Sequence, residues 1–243
     1  MCNLYSMVTN NEAIGRLFRF TGGWNQLHVP AVFPDQRAPI IRRKPGSADN
    51  EREMVSARWG MPTPPMHLKP GAIDRGVTNI RNTSSSHWRA WLKPANRCLV
   101  PATSFCEPTD QPGLDGKKIW TWFALSEDRP LFAFAGIWTT WRGTRGTKKA
   151  PEEAEHQLFG FLTTMPNNIV APVHSKAMPA VLTTPEECDR WLSAEPQDAL
   201  ALQRPLPDEA LRIVATGVQE DWPPGSEPAP GAAADPATQS LLI

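Results

Sequence analysis

The sequence has no apolar run that approaches the ~18 to 20 residues needed to cross a membrane. Its first residues, MCNLYSMVTNNEAIGRLF, carry neither the basic segment nor the apolar stretch of a secretory signal. No unit of about 20 to 50 residues repeats along the chain, which excludes solenoids and propellers. We therefore expect a cytoplasmic protein that makes no membrane contact.

Cysteine is scarce, and metal-ligand spacings are missing. The four cysteines (Cys2, Cys98, Cys106 and Cys188) form no C-x-x-C pair, so neither a zinc ribbon nor a dense disulfide framework is expected. The histidines show none of the paired helical or loop spacings that zinc sites use. We predict no metal and no cofactor.

The formal net charge is zero, but the two signs are segregated along the chain. Residues 1–150 contain 21 Lys and Arg against 11 Asp and Glu, whereas residues 151–243 contain 4 against 14. A basic first part indicates a face that could meet a polyanion such as nucleic acid. A solvated surface whose charges happen to segregate is the alternative.

Apolar periodicity predicts both helices and strands. Helical spacing occurs at residues 11–20, 86–92 and 184–192, and the last of these opens with a capping box at Thr184 and Glu187. Aromatic and β-branched runs predict strands at residues 97–101, 119–125, 131–141, 158–164 and 178–183. Repeated Pro and Gly in residues 24–45 predict a loop with short extended pieces.

These elements lack a regular βαβ alternation. We therefore predict one α+β domain over residues 1–222, with a curved, mostly antiparallel sheet or barrel-like core flanked by short helices. The Pro- and Ala-rich residues 223–243 have almost nothing to bury and are predicted to be a disordered tail.

Cys2 would become the first residue of the chain on removal of Met1. The α-amine would then have a pKa of about 7.7 to 8.0 and be partly neutral and nucleophilic at pH 7. With an aldehyde this amine forms a Schiff base, and the adjacent thiol can close onto the imine carbon to give a thiazolidine. The alternative is a small buried hydrophobe in a first strand.

Three further segments carry candidate reactive groups. Asn79 and Arg81 in VTNIRN would share a face of an extended segment, where an amide can orient an amine and a guanidinium can hold a phosphate. Glu107 ends the run RCLVPATSFCEP, and burial there would raise its pKa toward neutral pH. His174 in APVHSKAMP titrates in a range that suits acid–base work on a Schiff base. A polar turn, an exposed glutamate and a surface histidine are the alternatives.

The order of these segments is more specific than any one of them. Cys2, the segment ARWGMPTPP followed by Asn79-Ile80-Arg81, RCLVPA with F-x-E at Glu107, and His174 ahead of Met178-Pro179 together resemble the SOS response-associated peptidase (SRAP) family. The members of this family are abasic-site processing proteins. The resemblance covers residues 1–222. Thr83 departs from it, since many members have an acidic residue at that position.

The resemblance implies that Cys2 captures the aldehyde of an abasic site in single-stranded DNA as a covalent thiazolidine. It implies that Asn79 positions the amine or the opened sugar and that Glu107 and His174 assist proton transfers. Autoproteolytic removal of Met1 and strand scission by β-elimination are implied as accompanying activities.

The predicted partner is single-stranded DNA with abasic sites, bound by a monomer that is nucleoid-associated when it meets damaged DNA. The family pattern implies DNA contact by Arg81 and a place beside the site for Thr163. The charge balance predicts a groove lined by basic residues, namely Arg42, Arg43, Arg81, Arg89, Arg142, Arg145, Lys148 and Lys149. Trp59 or Trp141 would stack on unpaired bases at its rim.

Two other functions remain open at this point. An N-terminal-nucleophile cysteine peptidase or amidohydrolase would use the Cys2 amine as the base for its own thiol and would not crosslink DNA. A noncatalytic single-strand binder would use basic and aromatic residues alone.

Overall fold

The helices and strands alternate irregularly along the chain. The structure is a computed structural model that describes residues 2–25, 27–47, 51–69 and 71–226. Within these residues the elements are, in order, β1 (Leu4–Val8), α1 (Asn11–Phe18), β2 (His28–Val32), β3 (Arg37–Arg43), β4 (Arg52–Trp59), β5 (Asn79–Ile80), α2 (Ser86–Arg89), β6 (Arg97–Ala102), β7 (Ser104–Pro108), β8 (Trp120–Ala124), β9 (Phe132–Gly146), β10 (Pro151–Thr164), β11 (Met178–Pro179), β12 (Val181–Leu182), α3 (Pro185–Ser193), α4 (Pro196–Leu200) and β13 (Arg212–Thr216).

Five of the strands close into a barrel. β10 pairs in parallel with β4, and the ring continues through antiparallel pairs to β3, β6 and β9, which returns to β10. The short strands β5 and β11 add to the last residues of β10, and β12 adds to β9. The C-terminal end of β10 is therefore the place where several segments that are distant in sequence meet.

A second sheet packs against this barrel. Its strands are antiparallel in the order β13-β8-β7-β1-β2. Tyr5 of β1 points into the barrel side, where its ring centroid lies 5.2 Å from that of Trp59 and 5.6 Å from that of Phe134. Both contacts are edge-to-face, an arrangement that adds about 0.5 to 1.5 kcal/mol per pair beyond the burial of area. This aromatic contact fixes β1, and with it the start of the chain, against the barrel.

The helix starts follow the capping rules. The Asn10 side chain accepts a hydrogen bond from the backbone of Ala13 at 2.9 Å and begins α1. Thr184 caps α3 by accepting from the backbone of Glu187 at 3.2 Å. The reciprocal bond of the predicted capping box is displaced by one residue, because the Glu187 carboxylate accepts from the backbone of Thr183 at 2.8 Å.

The predicted α+β architecture is confirmed, with differences in its extent. The hairpin of β9 and β10 is longer than predicted at its polar end, since its ladder of eleven residue pairs runs from Phe161 and Gly136 out to Pro151 and Gly146. Within residues 24–45, where a loop with short extended pieces is predicted, the extended pieces are the paired strands β2 and β3. β3 contains a proline and three arginines, but β4 and β6 pair with it on both sides and impose the extended form.

The chain termini are described in part. Of the predicted tail 223–243, residues 223–226 form a turn that is closed by a backbone hydrogen bond from Ser226 to Pro223 at 3.1 Å. Residues 227–243 lie outside the described residues. No helix among the described residues is long and apolar enough to cross a membrane.

A buried arginine ties the polar end of the barrel together. The Arg145 side chain is 0% exposed and donates hydrogen bonds to the carbonyls of Gly60 at 2.7 Å and Asp74 at 3.1 Å. Its guanidinium also lies 3.5 Å from the Asp35 carboxylate and 3.6 Å from that of Asp74. A Cβ added at Gly76, where φ is +74°, would lie 2.5 Å from the guanidinium. We call these five residues the arginine cage.

Candidate functional site around Cys2

The candidate site begins with Cys2, which lies buried just before β1. Leu4 is paired with Cys106 of β7, so the segment preceding β1 lies beside the end of β7. The Cys2 side chain is 0% exposed, and its thiol donates to the Leu4 carbonyl at 3.4 Å. Burial raises the pKa of this thiol well above its usual value, and the nearby Glu107 carboxyl raises it further. The thiol is therefore protonated at neutral pH.

Asn79 holds the backbone of Cys2 in place. β5 pairs Asn79 with Phe161 of β10, which brings this amide to the start of the chain across 77 sequence positions. The Asn79 Nδ2 donates to the Cys2 carbonyl at 2.7 Å and to the Thr78 hydroxyl at 2.8 Å. The Oδ1 of the same amide is buried and accepts no hydrogen bond from the described residues. An acceptor is thus held next to the residue whose amine would need one.

Glu107 is a carboxyl group placed among apolar side chains. It lies on β7 two residues after Phe105, so the strand alternation turns both side chains to the same buried face. Glu107 is 0% exposed, and burial raises its pKa to about 8. The expectation of a raised pKa from the apolar run thus agrees with the structure, and the group is mostly protonated at neutral pH.

His174 approaches Glu107 from the loop of residues 165–177. Backbone hydrogen bonds between residues three or four positions apart hold this loop. One of them runs from the His174 amide to the Val170 carbonyl at 2.8 Å. The imidazole Nε2 lies 3.9 Å from the Glu107 carboxylate, and Nδ1 lies 3.2 Å from that of Asp110. Burial lowers the pKa of His174, while Asp110 opposes this change. His174 is therefore mainly neutral where Glu107 is mainly protonated.

We call Cys2, Asn79, Glu107 and His174 the Cys2 cluster. Arg81 and Thr163 lie at its edge. The exposed Arg81 guanidinium donates to the Thr164 carbonyl at 2.6 Å and to the Lys176 carbonyl at 3.3 Å, so it bridges the two ends of the His174 loop. Thr163 is 1% exposed and pairs with Pro179 of β11.

Sequence reasoning missed Gln203 as the residue that connects these segments. Its side-chain amide donates to the carbonyls of Arg81 and Thr163, both at 2.9 Å. The Gln203 side-chain oxygen accepts a hydrogen bond from the Thr83 hydroxyl at 3.0 Å. Thr83 is the residue that departs from the family pattern, in which an acidic residue is common at this position. A lone glutamine after α4 gives no signal of this role in the sequence.

The other predicted DNA contacts are not brought to the cluster. Arg42 is only 12% exposed and lies over the Trp138 ring at 3.8 Å, with Glu53 at 2.7 Å. Arg43 ends β3 and is partly buried. Arg142 is exposed on β9, where its pairing partner lies six residues along β10 from Phe161, or about 20 Å. Any role of these arginines in DNA contact would be peripheral to Cys2.

Two side chains predicted for the groove are placed otherwise. The prediction that Arg145 lines a groove is wrong, because it is enclosed in the arginine cage. Trp59 cannot stack on bases, since it is fully buried in the barrel. Trp141 is partly exposed and lines a surface cleft of about 490 Å³ together with His87 and Trp91.

No group of three or more His, Cys, Asp or Glu side chains within the described part of the chain could hold a metal ion. The four cysteines are all buried and unbridged. The cluster itself offers an amide, a carboxyl, an imidazole and a thiol group.

The fold and the site define a class: one-domain α+β proteins whose candidate reactive residue lies at the start of the chain, against the end of a barrel strand. Within that class the chain belongs to the SOS response associated peptidase (SRAP) family, whose model matches residues 1–220. The family is thus named for a peptidase. No significant match is found among curated proteins.

Solved structures share the fold at low sequence identity. A protein from Bordetella bronchiseptica is 22% identical with a TM-score of 0.63, covering 89% of this chain and 98% of its own. A protein from Bacteroides thetaiotaomicron is 23% identical with a TM-score of 0.62, covering 87% and 90%. A phage-related protein from Bordetella bronchiseptica is 19% identical with a TM-score of 0.63, covering 87% and 92%. These likenesses concern the fold.

Proposed function

We propose that this protein processes abasic sites in single-stranded DNA by forming a covalent thiazolidine through Cys2 after removal of Met1. The observation that carries the proposal is the convergence of Asn79, Glu107 and His174 on the second residue of the chain. A structural cysteine would need no such partners.

The amine is the first nucleophile in this proposal. An abasic site exposes an aldehyde when its sugar ring opens. The Cys2 nitrogen attacks the aldehyde carbon, the carbonyl oxygen takes up a proton, and loss of one water gives an imine. The buried thiol supports this order, because its raised pKa keeps it protonated while an α-amine is partly neutral near pH 7.

The thiol closes the ring in the second step. Its sulfur attacks the imine carbon, the imine electron pair moves to nitrogen, and the thiol proton is transferred to that nitrogen. The overall reaction joins one aldehyde to one N-terminal cysteine and releases one water. Closure is intramolecular, which favours the five-membered product over the open imine.

The two titratable partners divide the proton transfers. Glu107, with a pKa of about 8, is the proton donor to the departing hydroxyl. His174, with a lowered pKa, is the neutral base that takes the proton from the attacking amine. Asn79, with its free Oδ1 beside Cys2, orients the amine.

The remaining parts of the proposal concern DNA and the chain start. Arg81 is exposed beside the His174 loop, where its guanidinium can also meet a DNA phosphate. Thr163, which pairs with Pro179 at the end of β10, would border the reacting groups. Hydrolysis of the Met1–Cys2 bond by the protein itself would free the amine, in keeping with the peptidase of the family name. β-Elimination from the imine would account for strand scission as a side activity.

The proposal is tested with a single-stranded oligonucleotide that carries one abasic site. The mature protein should retain the oligonucleotide on a denaturing gel, and Cys2→Ala should lose this adduct. Cys2→Ser should form only a species that borohydride must trap, because its amine remains and its thiol is gone. Cys188→Ala, which removes another buried thiol on α3, is the matched control and should react as the wild type does.

The two alternative functions are outcomes of the same test. Peptide turnover that Cys2→Ser abolishes, without a DNA adduct, would favour the N-terminal-nucleophile hydrolase. Salt-sensitive binding without preference for the lesion and without an adduct would favour a noncatalytic single-strand binder.

A further inference from the structure

Asp110 is a second carboxylate at the site, and no sequence pattern distinguishes it from other aspartates in turns. It lies in the turn after β7, three residues beyond Glu107, and contacts the opposite side of the His174 ring. Its Oδ1 lies 3.2 Å from His174 Nδ1, while His174 Nε2 faces Glu107 at 3.9 Å. The imidazole thus lies between two carboxyl groups.

Three hydrogen bonds fix Asp110 in this position. Its Oδ2 accepts from the backbone of Ser175 at 2.8 Å and from the Ser175 hydroxyl at 2.6 Å. Its backbone amide donates to the Val173 carbonyl at 2.8 Å. The turn after β7 is therefore attached to the His174 loop on both sides of the histidine. The remaining oxygen, Oδ1, is left to face the imidazole.

We propose that Asp110 is a positioning residue that holds His174 with its proton on Nδ1, so that Nε2 is the nitrogen that exchanges protons with the reacting groups. A carboxylate only accepts hydrogen bonds, so the nitrogen that faces it must carry the hydrogen. Nε2 is then the basic nitrogen, on the side of Glu107 and Cys2. This inference rests on the proposed function for its consequences in catalysis, but the tautomer itself does not.

The electrostatics agree with this arrangement. The hydrogen bonds from Ser175 hold the pKa of Asp110 down to about 2, and His174 contributes in the same direction. Asp110 is therefore an anion throughout the neutral range. It stabilises the imidazolium that forms when Nε2 takes a proton, and so it opposes the lowering of the His174 pKa by burial.

The direct test is the tautomer of His174 in the protein without DNA, measured by ¹⁵N NMR at a pH where the ring is neutral. The wild type should carry the hydrogen on Nδ1. In Asp110→Asn the amide oxygen can keep both Ser175 bonds, which turns the amide NH₂ toward Nδ1 and moves the hydrogen to Nε2. A wild type protonated on Nε2, or a tautomer that Asp110→Asn leaves unchanged, would overturn the proposal. Either result is independent of whether the protein crosslinks DNA.

The second readout is the pH dependence of adduct formation. The groups that face His174 are Glu107 from β7, Asp110, Lys176 from its own loop, and the Cys2 amine once it is free. Asp110→Asn should reduce the maximum rate about 10-fold or more, since the wrong nitrogen is protonated. It should also move the acid limb that reports His174 to lower pH, because an anion that favours the charged ring is lost.

Two variants separate positioning from a merely structural role. Asp115→Asn, an exposed aspartate in the following turn, is the matched control and should leave rate and pH profile unchanged. Ser175→Ala removes one anchor of Asp110 but keeps its charge beside the ring, so the tautomer and the acid limb should stay as in the wild type. If Ser175→Ala reproduced both effects of Asp110→Asn, Asp110 would serve only to hold the loop.

Discussion

The arginine cage and the Cys2 cluster both bury ionisable groups, but the buried arginine of the cage is paired with carboxylates, whereas the buried glutamate of the cluster is protonated. In the cage, Arg145 faces the carboxylates of Asp35 and Asp74 and donates to two carbonyls. In the cluster, Glu107 is equally buried, but burial raises its pKa to about 8, so its carboxyl group keeps a proton at neutral pH. One region holds fixed charges, and the other holds a proton that can leave near neutral pH.

This contrast separates structural from reactive burial. A buried charge with opposite charges around it keeps its state and ties segments together. A buried carboxyl group beside a neutral imidazole can gain or lose its proton near neutral pH, which is what acid–base catalysis requires. The cage accordingly lies at the polar end of the β9–β10 hairpin, whereas the cluster lies at the second residue of the chain.

Removing the arginine of the cage should have the largest effect on stability. Arg145→Ala leaves Asp74, which is 1% exposed, without its counter-charge, and should lower the free energy of unfolding by about 3 to 5 kcal/mol. Arg142→Ala, three residues away on the same strand but exposed, should change it by less than about 0.5 kcal/mol. Urea unfolding of both variants checks this. Equal small effects would show that the cage is not a structural ion pair.

Adding a methyl group inside the cage, with its charges left in place, should have the next largest effect on the free energy of unfolding. Gly76 and Gly116 have nearly the same backbone, with φ of +74° and +75°, but only Gly76 has the guanidinium and the Gly60 backbone within 3 Å of an added Cβ. Gly76→Ala should therefore cost about 1 to 3 kcal/mol more than Gly116→Ala. Thermal unfolding of the pair isolates the packing cost from the cost of positive φ. Equal losses of stability in Gly76→Ala and Gly116→Ala would mean that the cage can accommodate the added methyl group.

Neutralising Glu107 should change the pH dependence of stability more than stability itself. Its pKa is raised on folding, so its contribution is fully present below pH 4.5 and is lost as pH rises toward about 8. Between roughly pH 5 and 8 the wild type should lose up to about 1.4 kcal/mol per pH unit relative to Glu107→Gln, which has no such proton.

The difference between the two proteins reports the titration of Glu107 together with its coupling to His174, whose Nε2 lies 3.9 Å away. Urea midpoints measured across this pH range provide the comparison. Parallel curves for wild type and Glu107→Gln would mean that the carboxyl ionises normally, and the contrast with the cage would fail.

Strands of both sheets were predictable where the sequence is aromatic and β-branched. The runs in β6, β8, β9 and β10 predict strands because such side chains suit a pleated surface. β3 could be predicted only as an unspecified short extended piece, since its Pro39 and flanking arginines resemble a loop until β4 and β6 are placed on either side. Pairing between distant segments overrode local preference there.

The site was predictable only in part. Cys2, Asn79, Glu107 and His174 came from their order along the chain and the family pattern, not from local periodicity. Asp110 could not be found in this way, because TDQPG has the composition of a turn and its partner Ser175 is 65 residues away. The charge balance predicts a surface position for Arg145. Its burial could not be predicted, because the space for its guanidinium depends on Gly60 and Gly76, which meet only in the folded protein.

The most direct test of the central claim is the intact mass of the mature protein after exposure to abasic single-stranded DNA. We expect a species lacking Met1 whose mass equals protein plus oligonucleotide less one water, with the link at Cys2 and no change on borohydride treatment. An active protein that retains Met1, or a link that borohydride reduces by adding two hydrogens, would contradict capture by the paired amine and thiol of Cys2.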